Sequence, residues 1–177
     1  MSDLLTRQAA GQLFRAVREN NLAAVTSLVT AQHSLVRCTD QGWTPLLYAA
    51  YYGFDAICMT LLAQGAAVTD VVPDTLCTPL HIACEHGHTA VVEILIRHQS
   101  SLTAKTRLGY TPLHSASSMD HLGCVVALCR AGADKTAVDN AGEAAIHLAA
   151  GWGHQAVVVL LLDQGCEVDM VSGHTVM

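Results

Sequence analysis

The sequence predicts an all-α solenoid made of short helix pairs stacked one on the next. Three observations predict it. Thr-Pro recurs at Thr44-Pro45, Thr78-Pro79 and Thr111-Pro112, at intervals of 34 and 33 residues, the kind of period that marks a repeat array. Other registers keep step with it: Leu46, Leu80, Leu113 and Ile146; Ala49, Ala83, Ala116 and Ala149; and the pairs Leu61-Leu62, Leu95-Ile96, Leu128-Cys129 and Leu161-Leu162. Within each period, apolar residues lie about one helical turn apart and a glycine closes the stretch, as amphipathic helices with left-handed C-caps require.

One unit shows the local chemistry. Thr44 is an N-cap, and Pro45 takes the first helical position, where its missing N–H costs nothing. About two turns follow, with Leu46, Ala49 and Ala50 on one face, and Gly53 ends them. A second helix is predicted over roughly Asp55 to Ala63, with Ile57, Cys58, Leu61 and Leu62 on its apolar side and Gly65 at its end. From Ala66 an extended turn projects towards the next Thr-Pro. Two such helices are too short to be stable alone, so only stacking on neighbouring units can bury both apolar faces.

The first unit keeps Leu13, Ala16, Val17, Val25, Leu28 and Val29, but Gly11-Gln12 replaces Thr-Pro. Arg7, Gln8, Gln12, Arg15, Arg18 and Glu19 give it a polar outer side, as an end cap needs. The second unit has Leu47 where later units have histidine. The third has Leu76 where the others place Gly42, Gly109 and Gly142, and carries one extra residue in the preceding turn. The fifth has Ala144-Ala145 for Thr-Pro, losing a cap worth about 1 kcal/mol. Its outer helix, with Val157 to Leu162, is apolar on more faces than a terminal helix hides in a monomer. Gly173-His174-Thr175-Val176-Met177 reads as the opening of a sixth unit. That end is therefore expected to continue into a longer array or to meet a partner or a second copy of the chain.

The runs Thr78-Pro79-Leu80-His81-Ile82-Ala83 and Thr111-Pro112-Leu113-His114-Ser115-Ala116, followed by Gly87-His88 and Gly153-His154, closely resemble the ankyrin repeat. The resemblance covers Leu13 to Val168. It implies an ankyrin-repeat solenoid with projecting β-turns or hairpins, read as one domain over 1–177. Its units are approximately 7–39 (the N-terminal cap), 40–73, 74–106, 107–139 and 140–169, with 170–177 as an incomplete sixth unit or tail. It also implies a concave surface, lined by turn tips and inner helices, that contacts a protein partner.

Composition agrees. Apolar residues make up 51% and charged residues 14%, which excludes a disordered chain. The net charge is −6, with lysine only at Lys105 and Lys135 and seven scattered arginines, so neither nucleic acid nor an anionic membrane is an expected partner. The mean hydropathy of +0.35 reports buried helices, since the longest apolar run, Ala156 to Leu162, falls far short of the ~20 residues that cross a bilayer. Seven cysteines in no paired spacing, and a start over Met1 to Phe14 without a basic stretch leading into an apolar core, suit a reducing intracellular compartment, cytoplasmic and/or nuclear.

No constellation for catalysis is evident, and neither metal nor cofactor is expected. His81, Cys84, His86 and His88 have zinc-ligand chemistry, but His81 and His88 occupy motif positions that recur at His114, His121, His147 and His154 without adjacent cysteine. Ser115, Ser117 and Ser118 near His114 follow the repeat and sit on no nucleophile turn. Cys58, Cys124 and Cys129 read as core residues, whereas Cys38, Cys77 and Cys166 fall in turns.

The aromatics carry the functional signal. Trp43, Tyr51, Tyr52, Tyr110 and Trp152 are five of the eight in the chain, and the core pattern requires none of them. With Glu85, His86, Arg107, Met119 and Glu143 in variable positions, they form the expected partner-binding set, the rings serving as anchors. The expected function is protein binding by rigid presentation. The alternatives are a regulatory or targeting segment of a larger protein whose catalytic domain lies outside this chain, and self-association through the C-terminal repeat.

Overall fold

The computed structural model describes residues 2–166, with side chains from Thr6 onward. Among the described residues ten α-helices alternate between two layers. The inner layer is α1 (Ser2–Arg18), α3 (Pro45–Tyr52), α5 (Pro79–Glu85), α7 (Pro112–Ser118) and α9 (Ala145–Gly151). The outer layer is α2 (Leu22–Ala31), α4 (Asp55–Ala63), α6 (Thr89–Arg97), α8 (Leu122–Arg130) and α10 (Gln155–Asp163). Each inner helix packs on the next inner helix, and each outer helix on the next outer one. One apolar core therefore runs the length of the stack, through Val17, Leu46, Leu80, Leu113 and Ile146 inside and Val29, Leu61, Leu95, Leu128 and Leu161 outside.

Thr44 caps α3 by accepting the Leu47 N–H at 3.4 Å. In the next two units a histidine strengthens the cap. Thr78 accepts the His81 N–H, and His81 Nδ1 in turn accepts the Thr78 N–H at 3.3 Å and its hydroxyl at 2.8 Å. His114 Nδ1 likewise accepts the Thr111 N–H at 3.2 Å and its hydroxyl at 2.8 Å. With Nδ1 accepting, the proton sits on Nε2. That nitrogen donates to the turn of the following unit, His81 to the Tyr110 carbonyl and His114 to the Glu143 carbonyl, both at 3.0 Å.

A second histidine series points the other way. His88, His121 and His154 donate through Nε2 to the carbonyls of Tyr51, Glu85 and Ser118 in the preceding unit, at 2.9, 3.0 and 2.9 Å. Gly53 and Gly87 make room for them. Both have positive φ, and a Cβ on either would lie 2.5 Å from Nδ1 of His88 or His121.

The turns are tight β-like hairpins, closed by Asp40–Trp43 and Val138–Ala144 bridges. They are also tied sideways. The Arg107 N–H donates to the Thr75 carbonyl at 2.8 Å, and the Asn140 N–H to the Leu108 carbonyl at 3.1 Å.

Four sequence expectations meet their outcome here. The second helix of unit two, expected at Asp55 to Ala63, is α4. The first unit departs from expectation, because α1 starts at Ser2 and runs straight through Gly11-Gln12, the place where a Thr-Pro start was sought. Leucine, glutamine, arginine and alanine around Gly11 favour helix strongly enough to override one glycine. Leu76 adopts φ +60°, the left-handed conformation that Gly42, Gly109 and Gly142 adopt at φ +82° to +83°. Ala144 offers no side-chain cap, although His147 Nδ1 still accepts its N–H at 3.0 Å. The expected opening of a sixth unit, Gly173 to Met177, lies outside the described residues.

Candidate partner-binding surface

The inner face is built from hairpin tips and the ends of the inner helices. Trp43 is held by the hairpin bonds that it exchanges with Asp40, both 2.9 Å. Tyr51 and Tyr52 close α3, Glu85 closes α5, and His86 follows it. Six of the eight aromatic residues form one contacting patch here. Tyr48 is its hub, touching Phe14 at 5.7 Å, Trp43 at 5.2 Å and Tyr52 at 6.5 Å between ring centroids. Tyr51 meets Trp43 edge-on at 5.8 Å, Tyr52 edge-on at 5.1 Å and the His86 ring at 4.4 Å. Phe54 stacks on Tyr52 at 5.4 Å. Tyr51 and Tyr52 each remain 40% exposed, so the patch is packed laterally and open outward.

Two concavities lie side by side on this face. One, of about 290 Å³, is bounded by Trp43, Tyr51, Ile82 and His86. The other, of about 390 Å³, is bounded by Arg107, Leu108, Tyr110 and Met119. Thr75, Cys77 and Glu85 belong to both and form the ridge between them. A larger concavity of about 580 Å³ lies on the opposite face, between α6 and α8. It is the furrow between neighbouring outer helices and contains no aromatic residue, which makes it the weaker candidate for recognition.

The ten residues expected to contact a partner therefore separate. Trp43, Tyr51, Tyr52, Glu85 and His86 come together around the first concavity and its aromatic patch, although Trp43 is half-buried and packs partly on the core. Arg107, Tyr110 and Met119 line the second. Two of these three also hold the stack together. Arg107 donates from Nε and Nη2 to the Asp74 and Pro73 carbonyls at 2.7 and 3.3 Å, and Tyr110 stacks on His114. Glu143 and Trp152 line neither concavity. Glu143 is half-buried, with its carbonyl accepting from His114, whereas Trp152 stands 69% exposed beyond α9.

The sequence reading missed Tyr48, Phe14, Phe54 and the pair Arg18–Asp40. Arg18 lies over the Tyr48 ring at 5.5 Å and reaches Asp40 at 3.4 Å. Burial, then the Asp40 charge, raises the Tyr48 phenol above its ordinary pKa. Tyr48 stands in the register of Ile82, Ser115 and Leu148, and Phe54 in that of His88, His121 and His154, so only their departure from those residue types could have signalled them.

The titrating groups behave as parts of a packed stack. Burial lowers His81 to about 4 and also lowers His114. Burial raises the Cys58 thiol to about 12 and Cys38 to about 11, and lifts Cys84 far above the ordinary range, which keeps them as thiols rather than nucleophilic thiolates. Among the described residues no group of three or more His, Cys, Asp or Glu side chains converges as a metal site. His81 and His88, from the run that suggested zinc, are committed to the bonds above, and Cys84 is wholly buried.

Paired helices in phase with the Thr-Pro period, tied by two histidine series, are matched by the family described as ankyrin repeats (3 copies), over residues 13–106, 68–139 and 101–172. The chain belongs to the ankyrin repeat family. Ankyrin repeats are in general protein–protein interaction modules, and the family is typically non-catalytic.

Relatives share this ankyrin stretch. The ankyrin repeat protein nuc-2 of Neurospora crassa is 30% identical over 93 residues, covering 52% of this chain and 9% of that protein. Zygote-specific protein 3 of Chlamydomonas reinhardtii is 30% identical over 104 residues, covering 58% and 28%. SH3 and multiple ankyrin repeat domains protein 2 of Homo sapiens is 27% identical over 109 residues, covering 62% and 6%. The chain thus spans less than a third of the length of each of these relatives. No helix among the described residues is long and apolar enough to cross a membrane.

Proposed function

We propose that this ankyrin stack, acting as one interaction domain, binds a partner protein through its inner face, with the patch around Tyr51 and Tyr52 as the anchoring region. The carrying observation is that patch. Six rings of units one and two meet there, with Tyr51 also against His86 of unit three, and the two tyrosines remain exposed where the core does not need them. Aromatic side chains fixed by their neighbours lose little rotamer freedom when a partner covers them, and each can contribute ~2 kcal/mol or more. The histidine ties make the surface pre-formed.

Affinity capture from a lysate of the source cells, comparing wild type with Trp43→Ala/Tyr52→Ala, tests the proposal. Both substitutions leave the histidine series untouched. The double variant is expected to lose the proteins that the wild type retains while still unfolding in one cooperative thermal transition, at a Tm lowered by the lost packing of Trp43. Equal recovery by both forms would reject the inner face.

A further inference from the structure

The concavity bounded by Trp43, Tyr51, Ile82 and His86 has a chemistry more specific than an apolar groove. The Trp43 and Tyr51 rings stand at 83° to each other, 5.8 Å apart, so they form two adjoining walls. The His86 ring is fixed against Tyr51 because its Nδ1–H donates to the Ile82 carbonyl at 3.0 Å. Glu85 stands on the ridge at one side, exposed, and its carboxylate makes no hydrogen bond or ion pair among the described residues. No lysine or arginine lines this concavity. The nearest cationic neighbour on the ridge's far side, Arg107, directs its guanidinium to the Pro73 and Asp74 carbonyls. The Cys77 thiol on the ridge is raised by burial, against a lowering hydrogen bond with Thr75 and with a further raising contribution from the Glu85 charge.

Resting on the reading of the inner face as the partner surface, we propose that this concavity takes an arginine side chain of the partner. The guanidinium would lie against the Trp43 and Tyr51 rings, with its fork on Glu85. Aromatic faces attract a delocalised, weakly hydrated cation, and a planar guanidinium can stack and bond a carboxylate at the same time, which an ammonium cannot. An apolar side chain in the same place would leave the Glu85 carboxylate unpaired and partly desolvated. One unit earlier the chain makes the same arrangement internally, with Arg18 over Tyr48 and reaching Asp40. Beyond the ridge, Leu108 and Met119 in the second concavity offer an apolar seat. The partner segment is therefore an extended peptide with an arginine and a nearby apolar residue.

In a Trp152→Phe background, Trp43 is the sole tryptophan and reports directly on the concavity. Its fluorescence would be titrated with acetylated, amidated alanine peptides that carry one arginine and one leucine separated by one to four residues. The same set would be made with citrulline, which keeps the shape and removes the charge, or with lysine in place of arginine. At least one arginine peptide is expected to bind saturably, with the citrulline form about tenfold weaker or worse and the lysine form between them. Glu85→Gln should weaken the arginine peptide by a similar factor, whereas Glu93→Gln on the opposite face should not. Absence of saturable binding by every arginine peptide, or arginine and citrulline forms that bind alike, would overturn the proposal, and lysine binding as tightly as arginine would overturn the choice of guanidinium. If capture from lysate still depends on Trp43 and Tyr52 while arginine and citrulline peptides behave alike, the inner face stands as the partner surface and only its arginine chemistry falls.

Discussion

Leu76 and the inner-helix histidines show how single residues set the stability of this stack. At φ +60° Leu76 holds a left-handed backbone that a glycine holds in three other units, and a residue with a Cβ does so at a cost of ~1–2 kcal/mol. Its side chain is 41% exposed and returns little of that cost through packing. Leu76→Gly is expected to stabilise the protein by about 1 kcal/mol and raise Tm by roughly 2–4 °C, as read by calorimetry; a lower Tm would mean that the leucine packs more than its exposure indicates. His81 and His114 make stability depend on pH. Their folded pKa values lie below the ordinary 6.5, His81 at about 4, so the unfolded chain binds more protons between those limits. The His81 contribution is present above pH 6.5 and is lost as pH falls towards about 4, at up to ~1.4 kcal/mol per pH unit, and His114 acts in the same direction. The urea midpoint should therefore drop between pH 7.5 and 5.5, and less steeply in His81→Leu, which copies the Leu47 of unit two. A midpoint that does not move over this range would mean that the histidines are not held neutral.

At the scale of elements, most of the helical framework was legible in the sequence. The Thr-Pro caps and glycine stops are backbone signals, and they place α3, α4, α5 and α7 where the period expects them. The cap signal failed at α1, which continues back to Ser2 although Gly11 interrupts its pattern, because helix-favouring residues on either side outweigh one glycine and the helix also packs on α2 and α3. Gly11 has no positive φ, and a Cβ there would meet nothing within 4 Å. Gly11→Ala is thus expected to add about 1 kcal/mol, measured by urea unfolding, and no gain would indicate that this part of α1 is not helical in solution. Sequence spacing placed Trp43, Tyr51 and Tyr52 on the inner face, but it could not show Tyr48 as their hub, since contacts between rings depend on rotamers and on the offset of one unit against the next. Nor could it show that Arg107 and Tyr110, chosen for recognition, also bind neighbouring turns and histidines.

Over the whole molecule, the histidine ties run in both directions along the stack, His81 and His114 to the next turn and His88, His121 and His154 to the previous helix. Units tied in this way hold their surface side chains in fixed relation, which is what a recognition surface made of several units requires. The aromatic patch lies at the junction of the first three units rather than at the far end, where Trp152 stands apart. The most direct test places a photo-crosslinking benzoylphenylalanine at Tyr52 on the inner face or at Met59, which is 54% exposed on the outer helix α4. Irradiation in lysate is predicted to join the Tyr52 variant to a discrete partner and to leave the Met59 variant unlinked; crosslinking at Met59 alone would contradict a partner held by the inner face.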